Sequence, residues 1–225
     1  MKTKNKSETD ALRQELINGY FSKPLLKGYD PFTAPDSLNS LILDIINKKA
    51  KRVAFPPFHL PISLKGEGTT AISNLCSEIN NFYTHLPIKC QTDFDDWFYK
   101  TADKFIVECG YKVTFGNAQK IINITLKHLY AYADVTKLGQ FKYCHFTLDR
   151  YTYGAAYCKA NGFYEDITSK KVETCWTKLS QSEYKDCQKD IRTYFSSSSC
   201  TYQDVSGGNL TPFEAEFIIW QDYKK

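Results

Sequence analysis

One period dominates this chain. Apolar side chains recur every three to four residues in segment after segment, and strict alternation over a strand's length is nearly absent. A period near 3.6 buries one stripe of a helix, so repeating it along the chain commits the fold to helices packed on helices. Leu12, Leu16, Ile17 and Tyr20 mark a helix over 8–22, and Leu38, Leu41, Ile42, Ile45 and Ile46 mark one over 36–50 that opens at Asp36. Further helices are expected at 69–85, from Thr92/Asp93 to a stop at Gly110, at 117–133, at 148–160, and from the Ser180–Glu183 capping box to Phe195. The last begins at Thr211-Pro212-Phe213-Glu214, which supplies a cap, a first-turn proline and a glutamate at the third position. Tyr111–Thr114 and Phe141–Phe146 are the two short strand candidates, and the proline- and glycine-rich stretch 53–68 reads as an ordered loop. The class is all-α.

At 225 residues the chain suffices for one well-buried unit, or two intimate halves sharing a cleft. We expect residues 69–160 to form one half, and 1–68 with 161–225 the other. Net charge is +4, which permits an anionic partner without requiring one, and 15% aromatic residues provide flat surface beyond ordinary core needs. The start, MKTKNKSETD, is charged, and no run of about 18 apolar residues occurs, so a cytoplasmic protein without membrane partners is expected. Eight cysteines are spread with no C-x-x-C spacing, as expected of buried thiols rather than a zinc or iron–sulfur set. Four scattered histidines make no metal cluster; His145 and Asp149 are the nearest thing to one. No phosphate-loop, nucleophile-elbow or dinucleotide motif is present.

One constellation carries chemistry. FGNAQKIINITLKHLYAY (115–132) places a glycine turn before a helix whose first turn presents Lys120. HFTLDRYTYGAA (145–156) follows, with Asp149 after an apolar, strand-like approach and at the start of a helix. The positive end of a helix disfavours a cation, which would lower the Lys120 pKa and free the amine as a nucleophile. On spacing alone, a solvated lysine beside an ordinary N-cap aspartate remains an open alternative.

The run GNAQKIINITL followed by FTLDRYTYGAA resembles the active-site segment of the helix–hairpin–helix base-excision DNA glycosylases, and the spacing suits their archaeal 8-oxoguanine branch. TPFEAEFIIW (211–220) is similar to the base-pocket segment of that branch. The turn reads TFGNAQ in place of Leu-Pro-Gly-x-Gly, the acidic pocket residue is Glu, and the iron–sulfur cysteines are absent. The resemblance implies two helical halves flanking a cleft, a monomer acting on double-stranded DNA, and no cofactor or metal. It implies that Lys120 and Asp149 are catalytic, and that Trp220, Glu216 and Trp176 line the base pocket. Gly116, Asn117, Gln119, Lys127 and Arg150 would meet the DNA backbone, with Lys112, Lys137 and Lys159 as further cations. The rival reading is a non-catalytic helical module that binds DNA or a protein.

Overall fold

A computed structural model describes residues 37–55, 61, 64–65, 69–133, 135–149, 176–204 and 207–222. The expected helix over 8–22 lies outside them, as do Arg150, Lys159 and nearly all of the expected helix over 148–160. The regular elements are helices: α1 (Leu38–Ile45), α2 (Lys51–Ala54), α3 (Thr70–Thr84), α4 (Gln91–Glu108), α5 (Phe115–Tyr132), the short α6 (Leu138–Phe141), α7 (Gln181–Phe195) and α8 (Pro212–Asp222). A π-helical turn, Ile46–Ala50, joins α1 to α2, and 3₁₀ turns cover Val135–Lys137 and Trp176–Lys178. Among the described residues β pairing amounts to one isolated bridge, Gln203 with Asn209. The all-α expectation holds.

Local chemistry explains the boundaries. Ser37 caps α1 through the Ser40 N–H, one residue later than the expected start at Asp36. At α4, Asp93 accepts the backbone N–H of Lys89 and Cys90 at 2.8 and 3.1 Å. That helix ends where expected. Gly110 N–H returns to Val107 C=O and Tyr111 N–H to Ile106 C=O, the paired bonds of a Schellman stop, with Gly110 at φ +62°. The strand expected at Tyr111–Thr114 is instead the turn from that stop into α5, which Thr114 caps. Both sequence-read capping boxes form: Ser180 with Glu183 on α7, and Thr211 with Glu214 on α8.

The core is one continuous cluster running from Leu41 to Ile219, and α5 is its axis. α1, α2, the π turn, α4, α6, α7 and the Trp176–Lys178 turn all touch α5, so elements from both expected halves meet on it. Phe115 to Tyr130 are buried without interruption. Aromatic rings fill the spaces around it. Phe82 stacks on Trp97 at 4.5 Å, Phe98 on Tyr184 at 5.7 Å, and Tyr130 meets Phe141 and Phe213 edge-on. Trp97 is therefore a core residue. The six described cysteines are free thiols, buried except for Cys90.

Candidate functional site

A helix buried on every side must find an internal partner for each polar residue it carries, because an unpaired buried donor or acceptor costs several kcal/mol. α5 meets that demand. Asn117 donates to Ala54 C=O at 2.8 Å, Thr125 to Ile121 C=O, and His128 Nδ1 to Ile124 C=O. Asn123 bonds both Gln119 and the Tyr184 hydroxyl, and Gln119 bonds Leu148. Two lysines seven residues apart complete the set.

Lys120 is 6% exposed, and its ammonium sits 3.4 Å from Asp149 Oδ2. The Trp176 ring covers the same ammonium, 4.2 Å from nitrogen to ring centroid. Asp149 is itself 1% exposed and follows Leu148, whose backbone is bonded to Gln119 of α5. Burial pulls the Lys120 pKa below its ordinary value, and the Asp149 charge opposes that pull without cancelling it. The cause expected from the sequence was the helix N-terminus. Lys120 is instead the sixth residue of α5, one turn too deep for the terminal amides, and desolvation acts in their place.

Lys127 is fully buried one heptad further on and pairs with the equally buried Glu216 of α8. Glu216 also accepts the Thr147 N–H through its other oxygen, at 2.8 Å. Burial holds the Lys127 pKa well below the usual range; Asp149 raises it and Lys120 lowers it further. Lys120, Asp149, Lys127 and Glu216 thus form one buried cluster of two cations and two carboxylates.

These placements correct several sequence expectations. Lys127 does not reach out to a phosphate, since its ammonium is consumed by Glu216 inside the molecule. Glu216 does not face a base pocket, because both its oxygens bond internally. Gln119 and Asn117 are likewise occupied by backbone carbonyls. Gly116 lies under the Trp176–Thr177 backbone, where a Cβ would overlap the Trp176 carbonyl oxygen and come within 2.9 Å of Thr177 Cα. Its missing side chain admits the turn that carries Trp176 over Lys120. Whether Asp149 opens a helix lies outside the described residues, whereas Phe141 belongs to α6 rather than to a strand. Lys112 is exposed, while half-buried Lys137 reaches toward Thr84 C=O. Arg150 lies outside the described residues; Trp220 lies within α8.

The sequence reading missed a second polar chain. Gln119, Asn123, Tyr184, His145, Asp95 and Arg192 are linked in succession from the core to the surface. Asn123 donates to the Tyr184 oxygen, which leaves the Tyr184 hydrogen for His145 Nδ1 and makes His145 Nε2 the donor to Asp95. Burial lowers the His145 pKa against the pull of Asp95. These bonds commit His145 to Asp95 and Tyr184 rather than to a metal shared with Asp149. The signal lay in the polar residues of α5 that break its apolar stripe.

Comparison of the chain with known protein families, with curated proteins and with solved structures finds no match. The residues themselves carry the functional argument.

Proposed function

We propose that the protein is a DNA glycosylase with lyase activity, in which Lys120 is the nucleophile and Asp149 its electrostatic partner. The observation that carries this reading is the convergence of the Lys120 ammonium on Asp149 at 3.4 Å beneath the Trp176 ring. The order of helix, tight turn and lysine-bearing helix supports it as well.

A lysine attacks carbon only as the free amine, and burial enlarges the neutral fraction of Lys120 near neutral pH. The target nucleotide must leave the base stack, at a cost of a few kcal/mol that damage or modification of the base reduces. The Lys120 nitrogen then bonds to the sugar C1′ as the bond from C1′ to the base breaks, and the departing base takes up a proton. The ring opens to a Schiff base. Loss of a C2′ proton expels the 3′-phosphate and cuts the strand. Asp149 stabilises positive charge developing on the sugar, as a preorganised dipole stabilises an oxyanion with the signs exchanged. Half-buried Trp176 offers a ring beside the amine, and stacking on such a ring is worth about 1–3 kcal/mol per base.

Borohydride reduces the Schiff base to a stable amine, so protein and DNA become covalently joined. Wild type is expected to be trapped on a duplex carrying an abasic site, and Lys120→Gln to lose trapping altogether. Trapping that survives in Lys120→Gln refutes the assignment.

The near-complete burial of Lys120 and Asp149 favours a second reading, a helical binding module in which the pair is structural. On that reading Lys120→Gln lowers the unfolding free energy and leaves DNA or partner binding unchanged.

A further inference from the structure

Segment 144–149 is buried and bonded as an extended chain is, with the N–H and C=O of one residue pointing the same way, yet no strand lies beside it among the described residues. Its backbone groups must still be paired. Two glutamines take the place of the missing strand. Gln188 of α7 accepts the Phe146 N–H at 3.1 Å and donates to the Phe146 C=O at 2.7 Å. Gln119 of α5 does the same for Leu148, at 3.3 and 2.7 Å. A primary amide offers a donor and an acceptor side by side, so each glutamine mimics one rung of a ladder. Thr147, between them, presents its N–H to Glu216 of α8. Alternate residues of an extended chain face opposite edges, and the segment is accordingly clamped from both sides by three helices. The last clamped residue directly precedes Asp149.

We infer that Gln119 and Gln188 are positioning residues that hold Asp149 against Lys120 by fixing the backbone at Leu148 and Phe146. The inference rests on Lys120 and Asp149 being the reacting pair. Neither amide has a bond to Asp149 or Lys120 in its own clamp, so each acts through the chain. Reacting groups tolerate little displacement; misplacement by about 1 Å can cost about 100-fold in rate.

Among the described residues, the charges around Lys120 are Asp149 of the segment, Lys127 of its own helix and, through Lys127, Glu216 of α8. Lys178, on the turn that carries Trp176, is exposed, and the groups named next have their partners elsewhere. Lys49 of the π turn acts on His128, Lys51 of α2 donates to Leu64 C=O, and His145, Tyr184 and Asp95 join α5 at Asn123. The Lys120 titration therefore reports the position of Asp149. If Asp149 withdraws, burial acts unopposed and the amine becomes reactive at lower pH.

The test combines competitive acetylation of the whole protein with acetic anhydride, read at the Lys120 peptide across pH, with single-turnover borohydride trapping on an abasic duplex. Gln188→Met is the main variant, since it removes both bonds to Phe146 while keeping the volume, and Asp149→Asn is the reference. The Gln188→Met acetylation curve should shift toward acid in the same direction as that of Asp149→Asn, and trapping should slow at least tenfold with duplex affinity unchanged within twofold. Should Gln188→Met fail to fold by circular dichroism, Gln188→Glu is read in the same way, because it keeps the acceptor for the Phe146 N–H and loses the donor. A folded variant whose acetylation curve matches wild type, beside a shifted Asp149→Asn, overturns the positioning role. A wild type that never traps DNA overturns the proposed function instead, and a shifted Gln188→Met curve then still upholds the clamp.

Discussion

Lys120 and Lys127 sit on the same face of α5 and have opposite prospects. Lys127 is closed in by Glu216, so removing one partner strands a buried charge, which typically costs about 3–5 kcal/mol. Lys127→Met should lose about that much in urea unfolding. Lys127→Met combined with Glu216→Gln should lose less than Lys127→Met alone, because the introduced amide still accepts the Thr147 N–H and carries no charge; additive costs would contradict the pairing. Gly116 is the other informative residue. Alanine in the first turn of a helix ordinarily helps, yet at 116 it meets the Trp176 backbone. Gly116→Ala is expected to destabilise by about 1–3 kcal/mol and to change the emission of Trp176 as the ring leaves Lys120. A neutral or stabilising Gly116→Ala would show that the 176–178 turn does not rest there.

At the scale of elements, the sequence was informative wherever local chemistry decides and silent wherever burial does. The stop at Gly110, the capping boxes of α7 and α8, and the helices at 70–84 and 91–108 were all legible, since caps and apolar stripes are properties of a few adjacent residues. α5 was legible as a helix but not as the central one. Its apolar stripe predicts one buried face, whereas neighbouring elements cover it all round and leave Gln119, Lys127 and His128 inside. For the same reason a local pattern points Lys127 and Gln119 at the DNA backbone, whereas both are buried. Segment 144–149 was recognised as an apolar, strand-like approach to Asp149, but its partners are glutamines 29 and 42 residues away, a separation no local pattern encodes. Burial of His128 has its own consequence. Its pKa is lowered from 6.5 to about 4, chiefly by desolvation. The unfolded chain therefore binds the proton first, so stability is full above pH 6.5 and falls as pH drops toward about 4. The loss is about 3 kcal/mol for this residue. His145 titrates in the same direction. His128→Gln should flatten the fall in urea midpoint between pH 6.5 and about 4, and an unchanged pH dependence would contradict the assignment.

At the scale of the whole molecule, the helices deliver one thing together: an amine, a carboxylate and an aromatic ring from three separate stretches of chain, converging at one end of a buried helix. α5 supplies Lys120, the clamped segment supplies Asp149, and the turn seated on Gly116 supplies Trp176. The net charge of +4 bears little on this arrangement, because the charges that matter are internal and nearly cancel. Among the described residues no helix is long and apolar enough to cross a membrane. The most direct test of the account is the site of the covalent bond. After borohydride trapping on an abasic duplex and digestion with protease and nuclease, mass spectrometry should find the reduced sugar adduct on the peptide containing Lys120, at Lys120 itself. An adduct on Lys127, on a surface lysine or on no lysine at all would contradict it.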